Sequence, residues 1–118
     1  MNVLIVDDNS LHLKMCKILL EKLKHKVDTA ESVNVLKKLL PTMQQPDVAL
    51  VDFRLEPGIT GVDILNMLKI ENKWTKTKYI ALTADVAEKS NLGGAGFDGI
   101  IFKPVTETLL AETLRAYE

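Results

Sequence analysis

Asp7 and Asp8 stand side by side directly after the apolar run VLIV at 3–6, with no basic residue before Lys14. Asp52 follows a second such run, DVALV at 47–51, Thr83 follows KYIAL at 78–82, and Lys103 follows GIIF at 99–102. Two carboxylates about 5 Å apart repel by roughly 3 kcal/mol at an effective dielectric near 20, so three gathered in one crevice cannot all stay ionised uncompensated. Three acids and Lys103 sum to −3 + 1 = −2, a charge that one divalent cation cancels. Oxygen donors alone select a hard ion. Few carboxylates, with room left for water and phosphate oxygens, suit Mg²⁺ better than a Ca²⁺ cage. A metal beside a carboxylate, a hydroxyl and an ammonium group is also a phosphoryl site. Asp52 is then the nucleophile and forms an acyl phosphate, Lys103 offsets charge on the phosphoryl oxygens, and Thr83 donates a hydrogen bond to one of them. Phosphorylation takes Asp52 from −1 to about −2, and a small hydroxyl such as Thr83 can swing to meet the added charge.

These residues act together only if the chain brings distant segments to one place. VLIV at 3–6, KVDTA at 26–30, DVALV at 47–51, KYIAL at 78–82 and GIIF at 99–102 read as five short strands. Asn9 or Ser10 caps a first helix with apolar positions 11, 15, 18, 19 and 23. SVNVLKKLL at 32–40, stopped by Pro41, gives a second helix, and VDILNMLKI at 62–70 after Gly61 a third. A shorter fourth is expected from Asp85 to Asn91, ended by GGAG at 93–96. The fifth runs over 106–117, with Leu109, Leu110, Thr113, Leu114 and Tyr117 on its apolar face. Strict strand–helix alternation predicts an α/β fold, a parallel sheet covered on both faces with right-handed crossovers. In such sheets ligands sit beyond the carboxyl ends of the strands. The acids, Thr83 and Lys103 all stand there, and if strands one and three are neighbours, Asp8 lies close to Asp52.

At 118 residues the chain has the size of one domain with one core, and no repeat or linker divides it. With 15 basic against 16 acidic residues, no global field favours nucleic acid. No apolar run reaches the roughly 20 residues that span a bilayer, and no leader is visible, so the expected location is the cytoplasm. Cys16 is the single cysteine and reads as a packed side chain. His12 and His25 stand beside lysines and are expected on the solvated surface, while Trp74 is expected to anchor a loop.

Asp7-Asp8 after strand one, Asp52 after strand three, ALTAD after strand four and FKP after strand five together resemble the CheY-like receiver domains of two-component response regulators, over essentially the whole chain. The resemblance implies a single receiver domain over 1–118, with a doubly wound five-stranded parallel sheet of order 2-1-3-4-5, the flavodoxin-like (βα)5 three-layer sandwich. It makes Asp52 the phosphoacceptor and Asp8 and Asp52 direct Mg²⁺ ligands, helped by the backbone carbonyl of Arg54, with Asp7 acting through water. Thr83 matches the switch hydroxyl and Lys103 the site lysine, its bond to Pro104 a candidate cis peptide. The phosphoryl group is expected to come from a histidine kinase or a histidine phosphotransfer protein and to leave by hydrolysis. The domain so catalyses its own phosphorylation and autodephosphorylation without being a conventional enzyme, and controls a downstream output protein or domain. Arg54 and Asp85, each two residues past a site residue, stand where the family varies the hydrolysis rate, and Arg54 is expected to shield the acyl phosphate.

Three features depart from the family pattern. Gly61 lies nine residues after Asp52, so the loop DFRLEPGITG is one residue longer than the commonest version; the segment from Thr83 to Lys103 is about two residues shorter; and Ile100 stands where an aromatic is frequent. The site tolerates the longer loop, while the shortened segment and Ile100 support an alternative, a receiver-like interaction module that no longer uses phosphorylation as its switch. Two other classes fit less well. An aspartyl-phosphate phosphatase needs a second acid two residues after its nucleophile, where this chain has Asn9 after Asp7 and Arg54 after Asp52. A flavodoxin-like electron carrier needs a first loop of hydroxyls and amides, and DDNS at 7–10 has the opposite charge for phosphate.

Overall fold

Branched apolar residues alternate in a way that fills both faces of one sheet. In the computed structural model, which describes residues 1–85 and 94–118, strands β1 (Asn2–Val6), β2 (Lys26–Ala30), β3 (Val48–Asp52), β6 (Lys78–Thr83) and β7 (Gly99–Phe102) pair in parallel in the order β2-β1-β3-β6-β7. That is the expected order 2-1-3-4-5, with the last two strands renumbered because a short ribbon intervenes. Leu4, Val6, Ala49, Val51, Tyr79 and Ala81 pack on one face against helices α2 (Val33–Leu39) and α3 (Gly61–Asn66). Val3, Ile5, Val48, Leu50, Ile80 and Leu82 pack on the other against α1 (Ser10–Lys22) and α4 (Glu107–Arg115). Every residue of β3 is buried, because it lies between β1 and β6 in the middle of the sheet.

Helix α1 shows why periodicity alone misleads. Its sequence carries two apolar stripes at helical spacing, and the fold buries Leu13, Cys16 and Leu20. The expected face is half right: Leu19 and Leu23 pack against the core, but Leu11 is 72% exposed and Ile18 62%. The exit from β1 and the cap fix the rotation, since the Asn9 side chain accepts the His12 N–H at 3.0 Å. On α4, Leu110 and Leu114 are buried and Leu109 is exposed.

Pro41 ends α2 as expected, but the chain tightens into a 3₁₀ turn over Leu40–Thr42 that takes the proline in its first turn. Helix α3 runs on into a π-helical turn at Met67–Glu71. Beyond it Trp74 is buried and its carbonyl accepts the Tyr79 hydroxyl at 2.6 Å, which fits the anchoring role expected of it. The expected fourth helix lies, from residue 86 onward, outside the described residues, as does the first glycine of GGAG.

The longer loop after Asp52 carries order that its length did not announce. Strands β4 (Arg54–Glu56) and β5 (Ile59–Thr60) form an antiparallel ribbon around Pro57-Gly58, with Gly58 at φ 81°. Proline followed by a glycine of positive φ is the signature of a type II turn. The Gly61 N–H donates to the Phe53 carbonyl at 2.6 Å, and a Cβ on Gly61 would lie 3.0 Å from the Asp52 carbonyl oxygen. Only glycine lets the ribbon fold back this tightly on the end of β3.

Candidate functional site

Parallel pairing sets the strand ends in line. Val6 pairs with Val51, so Asp7 and Asp8 leave β1 beside Asp52 at the end of β3. Leu82 pairs with Asp52 and Thr83 with Phe102, which brings Thr83 and then Lys103 to the same edge. Carboxylate oxygens of Asp7, Asp8 and Asp52 lie within 4.8 Å of one another. Lys103 Nζ is 3.4 Å from Asp52 Oδ2 and 3.7 Å from Asp7 Oδ2. Asp7 is completely buried, Asp52 and Thr83 nearly so, and Asp8 is exposed at the mouth.

The Lys103-Pro104 bond is cis, as expected. Thr83 Oγ1 accepts the Asp85 N–H at 3.1 Å, and Asp52 Oδ1 accepts the Arg54 N–H at 3.4 Å. Arg54 begins the ribbon, and beside it a cleft of about 430 Å³ opens between Asp8, Arg54, Glu56 and Thr60. Glu56 also accepts the Val33 N–H at 2.9 Å, which ties the ribbon to the start of α2. All six residues singled out from the sequence therefore meet at one edge of the sheet.

Both histidines correct the expectation of a solvated surface. His12 is only 14% exposed, and its Nδ1 lies in hydrogen-bond contact with Asp7 Oδ2. The nearby lysines hid this nearness, although position 12 lies one turn before the buried Cys16. His25 is packed at the opposite end of the sheet, where its Nδ1 faces the N-terminal amine at 3.2 Å. Burial, then the charge of that amine, lowers its pKa. Cys16 is buried as expected, and burial followed by the charge of Asp7 pushes its thiol up to about 11, so it stays protonated and inert.

Charge crowding is visible in the Asp52 carboxyl. Burial first, and the negative charge of Asp7 second, raise it from 3.8 to about 6, against the opposing pull of Lys103. The donors are all carboxylate oxygens, and three acids outnumber the single ammonium group of Lys103, so the residues present fit a hard divalent cation such as Mg²⁺. The raised value also affects folding. Between pH 4 and 7 the unfolded carboxyl releases its proton before the folded one, so the folded state binds more protons and stability falls as pH rises. Asp52→Asn removes this slope. The variant is expected to be more stable than the parent at pH 7 by about 1–2 kcal/mol after allowance for solvent in the cleft, and no more stable at pH 4. Urea midpoints at the two pH values, without divalent metal, check this; an equal gain at both rejects it.

The sequence matches the family described as response regulator receiver domain over residues 3–115. It is 29% identical over 119 residues to the polar-differentiation response regulator DivK of Brucella anthropi, covering 98% of this chain and 94% of that protein. It is 33% identical over 109 residues to stress response regulator protein 1 of Debaryomyces hansenii, covering 88% of this chain but 44% of that protein. Among solved structures, the response regulator TrrA of Thermotoga maritima in complex with Mg²⁺ and BeF superposes with a TM-score of 0.83 at 24% identity, covering 99% of this chain and 98% of that one. No helix among the described residues is long and apolar enough to cross a membrane. From the first buried strand to the last helix, the chain belongs to the response regulator receiver domain family, with its CheY-like, flavodoxin-like fold.

Proposed function

We propose that residues 1–118 form a single phosphoacceptor domain that takes a phosphoryl group onto Asp52 from a phosphohistidine on a histidine kinase or histidine phosphotransfer protein, and passes the change to a downstream output. The observation that carries this reading is the meeting of three carboxylates within 4.8 Å, with Lys103 3.4 Å from Asp52. The Mg²⁺ in the TrrA structure supports the choice of ion. Asp8, Asp52 and the Arg54 carbonyl would hold it here, with Asp7 acting through water. When bound, Mg²⁺ supplies charge stabilisation for the phosphoryl oxygens.

An ionised Asp52 oxygen attacks phosphorus in line, an O–P bond forms, and the P–N bond to the donor imidazole breaks with its electron pair returning to the ring nitrogen. Lys103 meets the charge that builds on the equatorial oxygens, and the Thr83 hydroxyl donates a hydrogen bond to one of them. Hydrolysis of the acyl phosphate resets the domain, and Arg54, at the edge of the cleft, shields the phosphate from water. Leu11, Met15 and Ile18 form an exposed apolar stripe that starts three residues past Asp8, and the phosphohistidine protein seats on it beside the acceptor. The reading assigns the domain to the cytoplasm, where such donors are charged.

Incubation with Mg²⁺ and a small phosphodonor, read by intact mass, tests the proposal. The expected result is the gain of one phosphate, lost on chelation of the metal and lost in Asp52→Asn. A mass that stays unchanged under all conditions favours the interaction module without a phosphorylation switch, for which the half-buried aliphatic Ile100 packed against the core is the supporting feature.

A further inference from the structure

A buried carboxylate needs both oxygens satisfied. Asp7 is wholly buried, and its Oδ1 accepts the Asn9 N–H at 3.0 Å. Its Oδ2 is met by two groups. Lys103 stands 3.7 Å away on the loop after β7, and the His12 ring approaches from α1 through Nδ1. An ionised carboxylate only accepts, so the hydrogen bond requires the proton on Nδ1. In the neutral ring Nε2 is then the acceptor, and it lies 3.7 Å from the Cys16 Sγ one helical turn on. The buried thiol keeps its proton and can donate it. Donation therefore runs in one direction, from Cys16 to His12 to Asp7.

We propose that His12 is a positioning residue for the metal site: it holds Asp7 by one oxygen, keeps the three carboxylates gathered, and so sets how tightly the cluster takes Mg²⁺. The inference rests on the reading that the cluster binds Mg²⁺. Lys103 cannot replace this contact, because it is shared with Asp52 at the shorter distance of 3.4 Å. The imidazole is instead fixed by the helix on one side and by Cys16 on the other, so it is a rigid donor. Partners of a direct metal ligand typically contribute 10- to 100-fold to affinity; Asp7 reaches the ion through water, so His12 is expected at the low end of that range.

Magnesium titration by calorimetry of the parent, His12→Asn and His12→Leu tests the assignment. The Asn amide nitrogen falls where Nδ1 lies and can donate, whereas Leu fills similar space without a donor. His12→Leu is expected to bind about 10-fold more weakly, and His12→Asn to keep most of the parent's affinity. Equal affinity in the Leu variant, or an Asn variant as weak as Leu, overturns the proposal. A second measurement needs no variant: the ¹⁵N signals of the His12 ring in the parent are expected to show a proton on Nδ1, and a bare Nδ1 overturns it. A parent that takes up no Mg²⁺ defeats the metal reading and this inference with it. A parent that binds while the Leu variant binds equally defeats this inference alone.

Discussion

Replacing Lys103 with Met is expected to slow phosphorylation of Asp52 from a small phosphodonor by about 100- to 1000-fold, the usual loss when one preorganised donor is removed from a developing oxyanion. The Met side chain keeps the apolar stem, so the packing around Lys103, whose side chain is 24% exposed, changes little. What disappears is the ammonium group within 3.4 Å of Asp52 and 3.7 Å of Asp7. Two consequences add up. The equatorial oxygens lose their fixed cation, and Asp52, whose carboxyl already stands at about 6, loses the one influence of opposite sign among the charges that shift it and binds its proton more tightly. The time course of phosphate gain by intact mass at saturating Mg²⁺ reads the effect. A rate within a few-fold of the parent would remove Lys103 from the proposed chemistry. Substitution by Arg is expected to restore only part of the rate, because a planar guanidinium does not place its charge where a compact ammonium does.

The largest expected effect on stability comes from Leu50→Ala, about 2–5 kcal/mol. Leu50 is wholly buried in β3, facing the layer built by α1 and α4. Strands on either side and helices above leave little freedom to collapse into the space that the missing carbons vacate. Against a typical domain stability of about 5–15 kcal/mol, such a loss is a large fraction of the whole. Leu11→Ala, on the exposed stripe of α1, is the matched comparison and is expected to change stability by less than about 0.5 kcal/mol. Urea unfolding measures both, with a lower midpoint at constant slope for Leu50→Ala. If Leu11→Ala costs as much as Leu50→Ala, the rotation of α1 described above is wrong.

That comparison marks where reading the chain stops being sufficient. Leu11, Met15 and Ile18 form as regular a stripe as Leu13, Cys16 and Leu20, and local spacing assigns both the same weight. Which one meets the sheet depends on the direction in which the chain leaves β1 and on the Asn9 cap, a matter of three-dimensional geometry. The position of His12 followed from the same choice. A histidine with a lysine two residues on reads as surface, although it touches Asp7. The ribbon over Arg54–Glu56 and Ile59–Thr60 had a signal in Pro57-Gly58, but strands this short fall below what alternation can detect.

By contrast, the sequence by itself determined the five strands, their alternation with helices, and the set Asp7, Asp8, Asp52, Thr83 and Lys103 at strand ends. The reason is physical: burial on both faces forces the continuous apolar runs of β1, β3 and β6, and a charged residue can follow such a run only where partners of opposite charge, hydrogen-bond donors or solvent meet it. Tertiary structure decided the rest: the contact of His12 with Asp7, the rotation of α1, and the distances that crowd three carboxylates and one ammonium group into a few ångströms. Those depend on how elements far apart in the chain are turned toward one another, and turning is a property of packing that no local pattern encodes.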